Sequence, residues 1–338
     1  MARCWGEAEK EPEVVDLRVT PDVEEVEAKS PRDLKEEAKS LDHMMHHKVF
    51  NPYCRACVEG RSQRKSHRKG ALGAAAEKPT KFGEAVTGDH LICRRRDGTP
   101  VEDDNDPFSK YVGATAAMVL YDRGTNYLRV FPQANRSAEH TKASFIEFQG
   151  QDKILGFHSD RAPEIVAAAQ ALGWPMSSGT PGVPQTNGLA ERYVRASKEG
   201  GRMNIAQSGL HTSWWEKACE CFSFTRNTEN GAYLARVGES SNHTRIPFGA
   251  MVDFMPTPNA EKPPPFESKT QAGLLVGYHT QPGGRWSGDY LVADFEPFKE
   301  DPDAEPRHVR VHRMKEVIPP GRLEPLRFPL AEFRQKQR

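Results

Sequence analysis

No run of about twenty apolar residues occurs in this chain of 338, so no membrane-spanning helix is expected. The opening MARCWGEAEKEPE lacks the apolar stretch of a secretion signal, and no signal peptide is expected either. Cysteine is scarce. Six in a chain this long do not make a disulfide framework, which points to a reducing compartment. Apolar residues reach only 37%, below the usual range, while charged residues reach 28%. A packed centre with poorly packed ends is the expectation. Charge of one sign is lacking only on average. The net charge is zero, yet residues 1–40 hold 12 acids against 7 bases, and residues 41–82 hold 9 bases against 3 acids. The basic stretch suits a polyanionic partner.

What is present divides the chain into five parts. Residues 1–40 are rich in Glu, Lys and Pro and read as a disordered acidic segment or a solvated helix. A Cys/His segment and a basic tract occupy 41–70. A core over 82–228 alternates strands and helices, which by pattern alone is an α/β fold. Its strands are expected at 82–92, 111–121, 127–131, 154–157 and 174–177. Helices are expected at 137–148, 163–172, 189–207 and 213–226. The Pro-rich stretch 255–265 is a linker. Beyond it, QAGLLVGY at 271–278 and YLVAD at 290–294 flank a Gly-rich turn and read as a hairpin in a small β-rich domain over 245–320. Residues 321–338 read as a disordered tail.

Three acids stand in distinctive local words: Asp89 in VTGDHL, Asp160 in GFHSDRAPEI and Glu191 in PQTNGLAERYVR. Each falls at the rim of an expected strand or the start of an expected helix. Converging carboxylates of this kind can hold two Mg²⁺ ions about 3.5–4 Å apart, one activating an oxygen and one stabilising a leaving oxygen. Hard cations prefer oxygen ligands, so Asp and Glu suit the task. Scattered acids at strand and helix ends are also common caps. The surrounding words, not the acids, carry the specificity.

HSDRAPE followed by PQTNGLAER resembles the second-Asp and Glu motifs of retroelement integrases, particularly those of copia-type retrotransposons. His158, Asp160, Glu164, Pro184, Gln185, Asn187, Gly188, Ala190, Glu191 and Arg192 match that pattern. The intervals are 71 residues from Asp89 to Asp160 and 31 from Asp160 to Glu191. The second interval is slightly short for the family, which a loop can absorb. The resemblance implies a ribonuclease H-like core, a mixed five-stranded sheet with flanking helices. It further implies catalysis by Asp89, Asp160 and Glu191 with two Mg²⁺ or Mn²⁺ ions. The chemistry would be hydrolysis at the element's 3′ end, then attack of that 3′-hydroxyl on target DNA. Double-stranded DNA and further copies of the chain would be its partners, in the nucleus or in a cytoplasmic particle before nuclear entry. Lys269, Gly273, Gly277 and Tyr278 fit the family's C-terminal pattern, and Trp214 to Ala218 resembles a structural helix of the family.

Departures from the pattern matter as much. Arg161-Ala162 replaces the family's Asn-Gly after the second Asp, and Glu164 reads as supporting rather than ligating. Cys54-x2-Cys57 has zinc-ligand spacing, and His43 and His47 share a helical face. The family's zinc module runs His-His-Cys-Cys, but here Cys54 stands only seven positions after His47. The module is truncated, draws on His46 or His67, or stays open. Arg61, Arg64, Lys65, Arg68 and Lys69 would bind DNA phosphates without sequence preference, or serve nuclear import, or form a plain linker.

On a helix over 189–207, Glu191, Arg195, Lys198 and Arg202 form one stripe, with Arg192 beside it. That face would lay DNA phosphates across the carboxylates. Gly200-Gly201 costs roughly 1–2 kcal/mol of helix propensity and predicts a kinked or short helix. Cys219 and Cys221 read as core thiols. Two rivals stay open: a decayed or domesticated copy that binds DNA without cutting it, and a ribonuclease H-like nuclease acting on RNA–DNA hybrids.

Overall fold

The computed structural model describes residues 30–38, 40, 51–54, 78–93, 113–178, 188–255, 266, 268–318 and 326–337. The chain forms two compact units, residues 1–67 and 68–338. In the first, helix α1 (Pro31–Glu37) starts at a capping box. Ser30 Oγ accepts from the Asp33 amide, and the Asp33 carboxylate accepts from the Ser30 amide at 3.1 Å. Asn51 Nδ2 donates to the Leu34 carbonyl at 2.7 Å, and the Lys35 ammonium lies over the Tyr53 ring. The acidic segment therefore holds a short solvated helix rather than disorder throughout.

The second unit is built on two sheets. The first is mixed and five-stranded, in the order β3-β2-β1-β4-β5. Its strands are β1 (Val86–Ile92), β2 (Ala116–Asp122), β3 (Leu128–Gln133), β4 (Phe157–Ser159) and β5 (Met176–Ser178). β1, β2 and β3 pair antiparallel, whereas β4 runs parallel to both β1 and β5. All seven residues of β2 are buried, because helices cover both faces. On one face, Val86, Met118 and Leu120 pack against Phe145 and Phe148 of α2 (Ala138–Gln149) and Ile165 of α3 (Pro163–Leu172). On the other, Leu91, Ala117 and Val119 meet Val194 of α4 (Gly188–Ser208) and Cys219 of α5 (Trp215–Glu229). A mixed five-stranded sheet flanked by helices is the core expected from the motifs.

Two boundaries move for identifiable reasons. β1 begins at Val86 rather than at 82, because the Glu84 carboxylate accepts from the Thr80 and Lys81 amides and closes a turn. β4 begins at Phe157, after the apolar run that seemed to define it: Ile154 is buried, but Leu155 is 64% exposed. The edge strand β3 is sealed by a side chain. Asn227 on α5 accepts from the Leu128 amide at 3.0 Å and donates to its carbonyl at 2.6 Å.

The second sheet is antiparallel, in the order β10-β6-β7-β8-β9. It comprises β6 (Met251–Phe254), β7 (Gln271–Thr280), β8 (Trp286–Asp294), β9 (Val311–Met314) and β10 (Val317–Ile318). The 271–294 segment is the β7–β8 hairpin. It is not an independent module: Trp214, Phe224 and Tyr233 share one apolar cluster with Leu274, Leu275 and Val292. Tyr278 Oη accepts from the Ile246 amide and donates to its carbonyl, and Trp214 Nε1 donates to the Ala304 carbonyl. Two short helices follow, α6 (Ala232–Val237) after α5 and α7 (Glu296–Glu300) after β8.

The expected disordered tail carries a helix instead, α8 (Pro329–Lys336). Its Leu330 is buried, and Arg334 donates to the Gly209 carbonyl and to Asp303, each at 2.6 Å. Composition misleads at this point because one buried leucine and one arginine fork anchor an otherwise polar turn.

Candidate active site

The parallel pairing of β1 and β4 fixes the two aspartates. Val86 pairs with Phe157 and Thr87 with His158, a constant offset that brings Asp89 and Asp160 abreast. Asp160 directly follows β4, and Asp89 sits midway along β1, just beyond the residues that pair with β4. Hydroxyls staple the strands just before that point. Thr87 Oγ1 donates to the His158 carbonyl at 2.9 Å, and Ser159 Oγ donates to the Gly88 carbonyl at 2.8 Å. Asp160 closes β4 and accepts from the Ala162 amide at 3.1 Å, which turns the chain into α3 with Pro163 at its first position.

Alternation along β1 decides which way each side chain faces. Val86 packs on the α2/α3 face, so Asp89 and Leu91 belong to the α4 face. There α4 is clamped to the sheet by Ala190 and Val194, both buried, and by the Tyr193 ring stacked on Tyr121 at 3.5 Å. This leaves Glu191 exposed in the first turn of α4. Arg192, Arg195, Lys198 and Arg202 are exposed as well.

The electrostatics link these groups. The Asp89 carboxyl is pushed up to about 6, first by burial and next by the charge on Asp160. Glu191 raises it further, while the His90 amide at 2.7 Å and the Lys198 charge oppose the shift. The three carboxylates and Lys198 therefore share one electrostatic neighbourhood. They are not a finished cage. Among the described residues, no three His, Cys, Asp or Glu side chains are grouped closely enough to hold a metal ion.

A brace behind Asp89 escaped the reading of the sequence. His90 points to the opposite face, with Nε2 at 3.3 Å from Thr141 Oγ1 and Nδ1 at 3.8 Å from Glu164 Oε1. Burial holds its pKa below the usual value, so a neutral imidazole ties β1 to α2 and α3. Glu164 faces this histidine. The signal was a His directly after the first Asp, with a Thr that only the fold brings near.

The glycine pair also has a different meaning from the one expected. α4 runs unbroken for 21 residues through Gly200 and Gly201, both buried. A Cβ on Gly200 would lie 2.3 Å from the Phe222 ring, and one on Gly201 would lie 2.4 Å from Cys219 Sγ. The pair is a notch that lets α5 approach, and Asn204 Nδ2 donating to the Ala218 carbonyl extends the same seam. Close packing offsets the lost propensity. Cys219 and Cys221 are both buried, Cys219 in that seam and Cys221 in the cluster with Trp214 and Phe224.

The zinc segment and basic tract fall mostly outside the described residues. His43, His47, Cys57, Arg61, Arg64, Lys65, Arg68 and Lys69 all lie there. Cys54 is buried in the first unit, and its amide donates to the Asn51 carbonyl at 3.1 Å.

No protein-family profile matches the chain, and no curated protein matches it. Among solved structures, the chain is similar to the catalytic core domain of BIV integrase: 17% identity, 43% of this chain, 84% of that one, TM-score 0.30. It is also similar to a chain of the simian T-cell lymphotropic virus intasome in complex with PP2A regulatory subunit B56 gamma. That match has 13% identity, 86% of this chain, 98% of that one and TM-score 0.41. A third is the HTLV-2 integrase catalytic core in complex with magnesium, with 14% identity, 49% of this chain, 93% of that one and TM-score 0.29. At these scores the likenesses decide nothing about chemistry, which rests on the carboxylates and the helix beside them.

Proposed function

We propose that this chain is an integrase of the retroelement, copia-like type. It would process the 3′ ends of element DNA and join them to target DNA. What supports the reading is the β1/β4 register, which carried forward at the same offset sets Asp160 beside Asp89, with Glu191 and Lys198 within electrostatic reach. The donor set is of the kind that Mg²⁺ or Mn²⁺ takes, because it is all hard oxygen. Two such ions, when bound, would activate the attacking oxygen and stabilise the leaving one. Asp89 and Asp160 would hold them from β1 and the end of β4, and Glu191 would add a third carboxylate from α4. Arg192, Arg195, Lys198 and Arg202 line the exposed side of that helix and hold the phosphate backbone of double-stranded DNA. Cys54 with Cys57, His43 and His47 would bind Zn²⁺, which metal analysis of the purified chain checks. Two DNA ends call for several protomers, and the work would be done in the nucleus.

The strand-transfer assay is the test. With Mg²⁺ and a duplex mimicking an element end, the chain joins that end to a second duplex, and Asp160→Asn does not. Equal activity in the variant would remove the assignment. A second reading, a copy that binds DNA without cutting it, draws support from Arg161-Ala162 and from the loose setting of the three acids. It predicts salt-sensitive duplex binding with no Mg²⁺-dependent product.

A further inference from the structure

His90 is a buried imidazole that the proposed chemistry leaves without a part. Its ring lies opposite Met118 on the face that also holds Phe145 and Ile165, and it is 9% exposed. A leucine would fill such a space without the cost of burying polar nitrogens. Both helices on that face reach the ring. Thr141 Oγ1 of α2 donates to the Ser137 carbonyl at 2.9 Å, so at 3.3 Å from His90 Nε2 it is left to accept the ring proton. Glu164 Oε1 of α3 stands 3.8 Å from Nδ1, an electrostatic contact rather than a hydrogen bond.

The grip acts on the carboxylate next door. The His90 amide donates to Asp89 Oδ1 at 2.7 Å, so a ring that cannot turn holds the peptide that aims Asp89. Glu164 lies in the first turn of α3, whose lead-in Asp160 closes through the Ala162 amide. Backbone pairing of β1 with β4 ends at Thr87 and His158, and the Ser159 hydroxyl bond to Gly88 lies one step further on. His90 and Glu164 therefore tie β1 to the start of α3 past the point where the strands are laced. We infer, resting on Asp89 and Asp160 as the metal ligands, that His90 is a positioning residue. It seats the Asp89 carboxylate against Asp160 and so sets the affinity of the pair for Mg²⁺. Facing away from the carboxylates, the ring acts through Asp89 alone. Groups that orient a metal ligand from behind change affinity or activity by about 10- to 100-fold when removed.

Two quantities measured on the full chain test this: the Mg²⁺ dissociation constant by calorimetry without DNA, and the Mg²⁺ concentration for half-maximal strand transfer. His90→Phe keeps a ring and removes both nitrogens, and it should raise each quantity about tenfold. His90→Gln can set an amide nitrogen where Nε2 stands, and it should return to within about threefold of the parent. A purely structural histidine would lower the melting temperature of both variants and leave the Mg²⁺ requirement of the folded protein unchanged. That result overturns the inference, as does a His90→Gln no better than His90→Phe. If His90→Phe does not fold, Thr141→Val decides alone, since it removes the acceptor of the ring proton. A rise of about threefold or more in both quantities then supports the inference, and parent-like values overturn it. A parent that neither binds Mg²⁺ nor joins ends sinks this inference and the integrase reading together. A parent that does both, matched by His90→Phe, sinks this inference alone.

Discussion

Asp89 and Asp122 lie on neighbouring strands of the same sheet, Asp89 midway along β1 and Asp122 opposite its first residue, and burial raises the pKa of both. Their surroundings differ completely. Asp122 is fully buried and accepts from the Thr125 amide, Thr125 Oγ1 and the Gly83 amide, at 2.7, 2.7 and 3.0 Å. It locks the β2–β3 turn to the lead-in of β1. Asp89 is half-buried, accepts from the His90 amide, and lies within electrostatic reach of Asp160 and Glu191. One aspartate is satisfied by donors and serves the fold. The other has its carboxyl raised by neighbouring like charge as well as by burial. The comparison predicts opposite consequences for substitutions of similar chemistry.

The largest effect is expected at the two aspartates proposed to hold metal. Asp89→Asn and Asp160→Asn should each lower Mg²⁺-dependent strand transfer by about 10³-fold or more, on the scale of losing an electrostatic stabiliser of the transition state. Circular dichroism and melting should stay close to the parent. Asp122→Asn should leave the activity of the folded fraction within a few fold. If Asp122→Asn proves as damaging to turnover as Asp160→Asn, the two ends have been assigned wrongly.

Stability should show the reverse order. Asp122→Ala strands a buried hydroxyl and two buried amides, at about 1–3 kcal/mol per unsatisfied group before relaxation. A loss of about 3 kcal/mol in denaturant unfolding is expected. Next comes the helix that carries Glu191. Gly200→Ala drives a methyl group into the Phe222 ring, which should cost about 1–3 kcal/mol and loosen α4 against α5. A neutral or stabilising alanine there would mean that the glycines mark a bend and not a notch.

The same contrast explains what could be read without coordinates. The carboxylates stand in local words that place one within a strand, one just after a strand and one at a helix start, and the alternation of β1 alone puts Asp89 opposite His90. The core strands and helices were legible for the same reason, since their apolar patterns are local. What escaped depends on approach between distant segments. Gly200 and Gly201 look like helix breakers until Phe222 and Cys219 are seen beside them. Asp122 is one acid among 47 until Gly83 and Thr125 are seen donating to it. Leu330 and Arg334 sit in a polar tail whose docking site near Gly209 is about 120 residues away in sequence. No window of sequence contains such pairs.

The smallest effect is also the most discriminating, because it separates crowding from hydrogen bonding at Asp89 itself. Its folded pKa of about 6 lies above the ordinary value of 3.8, so the folded state holds the proton longer than the unfolded chain does. The stability linked to this group is therefore fully present below about pH 4 and is lost as pH rises through 6. Asp89→Asn keeps an oxygen for the His90 amide but cannot ionise. It should be more stable than the parent in EDTA at pH 8, by about 1–2 kcal/mol once solvent screening is allowed for. Near pH 4 the two should be equal. Millimolar Mg²⁺ should then stabilise the parent and leave Asp89→Asn unchanged, since only a ligand of the folded state shifts the equilibrium. Chemical unfolding at the two pH values, with and without Mg²⁺, gives all four corners of that cycle. A variant less stable than the parent at pH 8 would show that Asp89, like Asp122, is held by its donors.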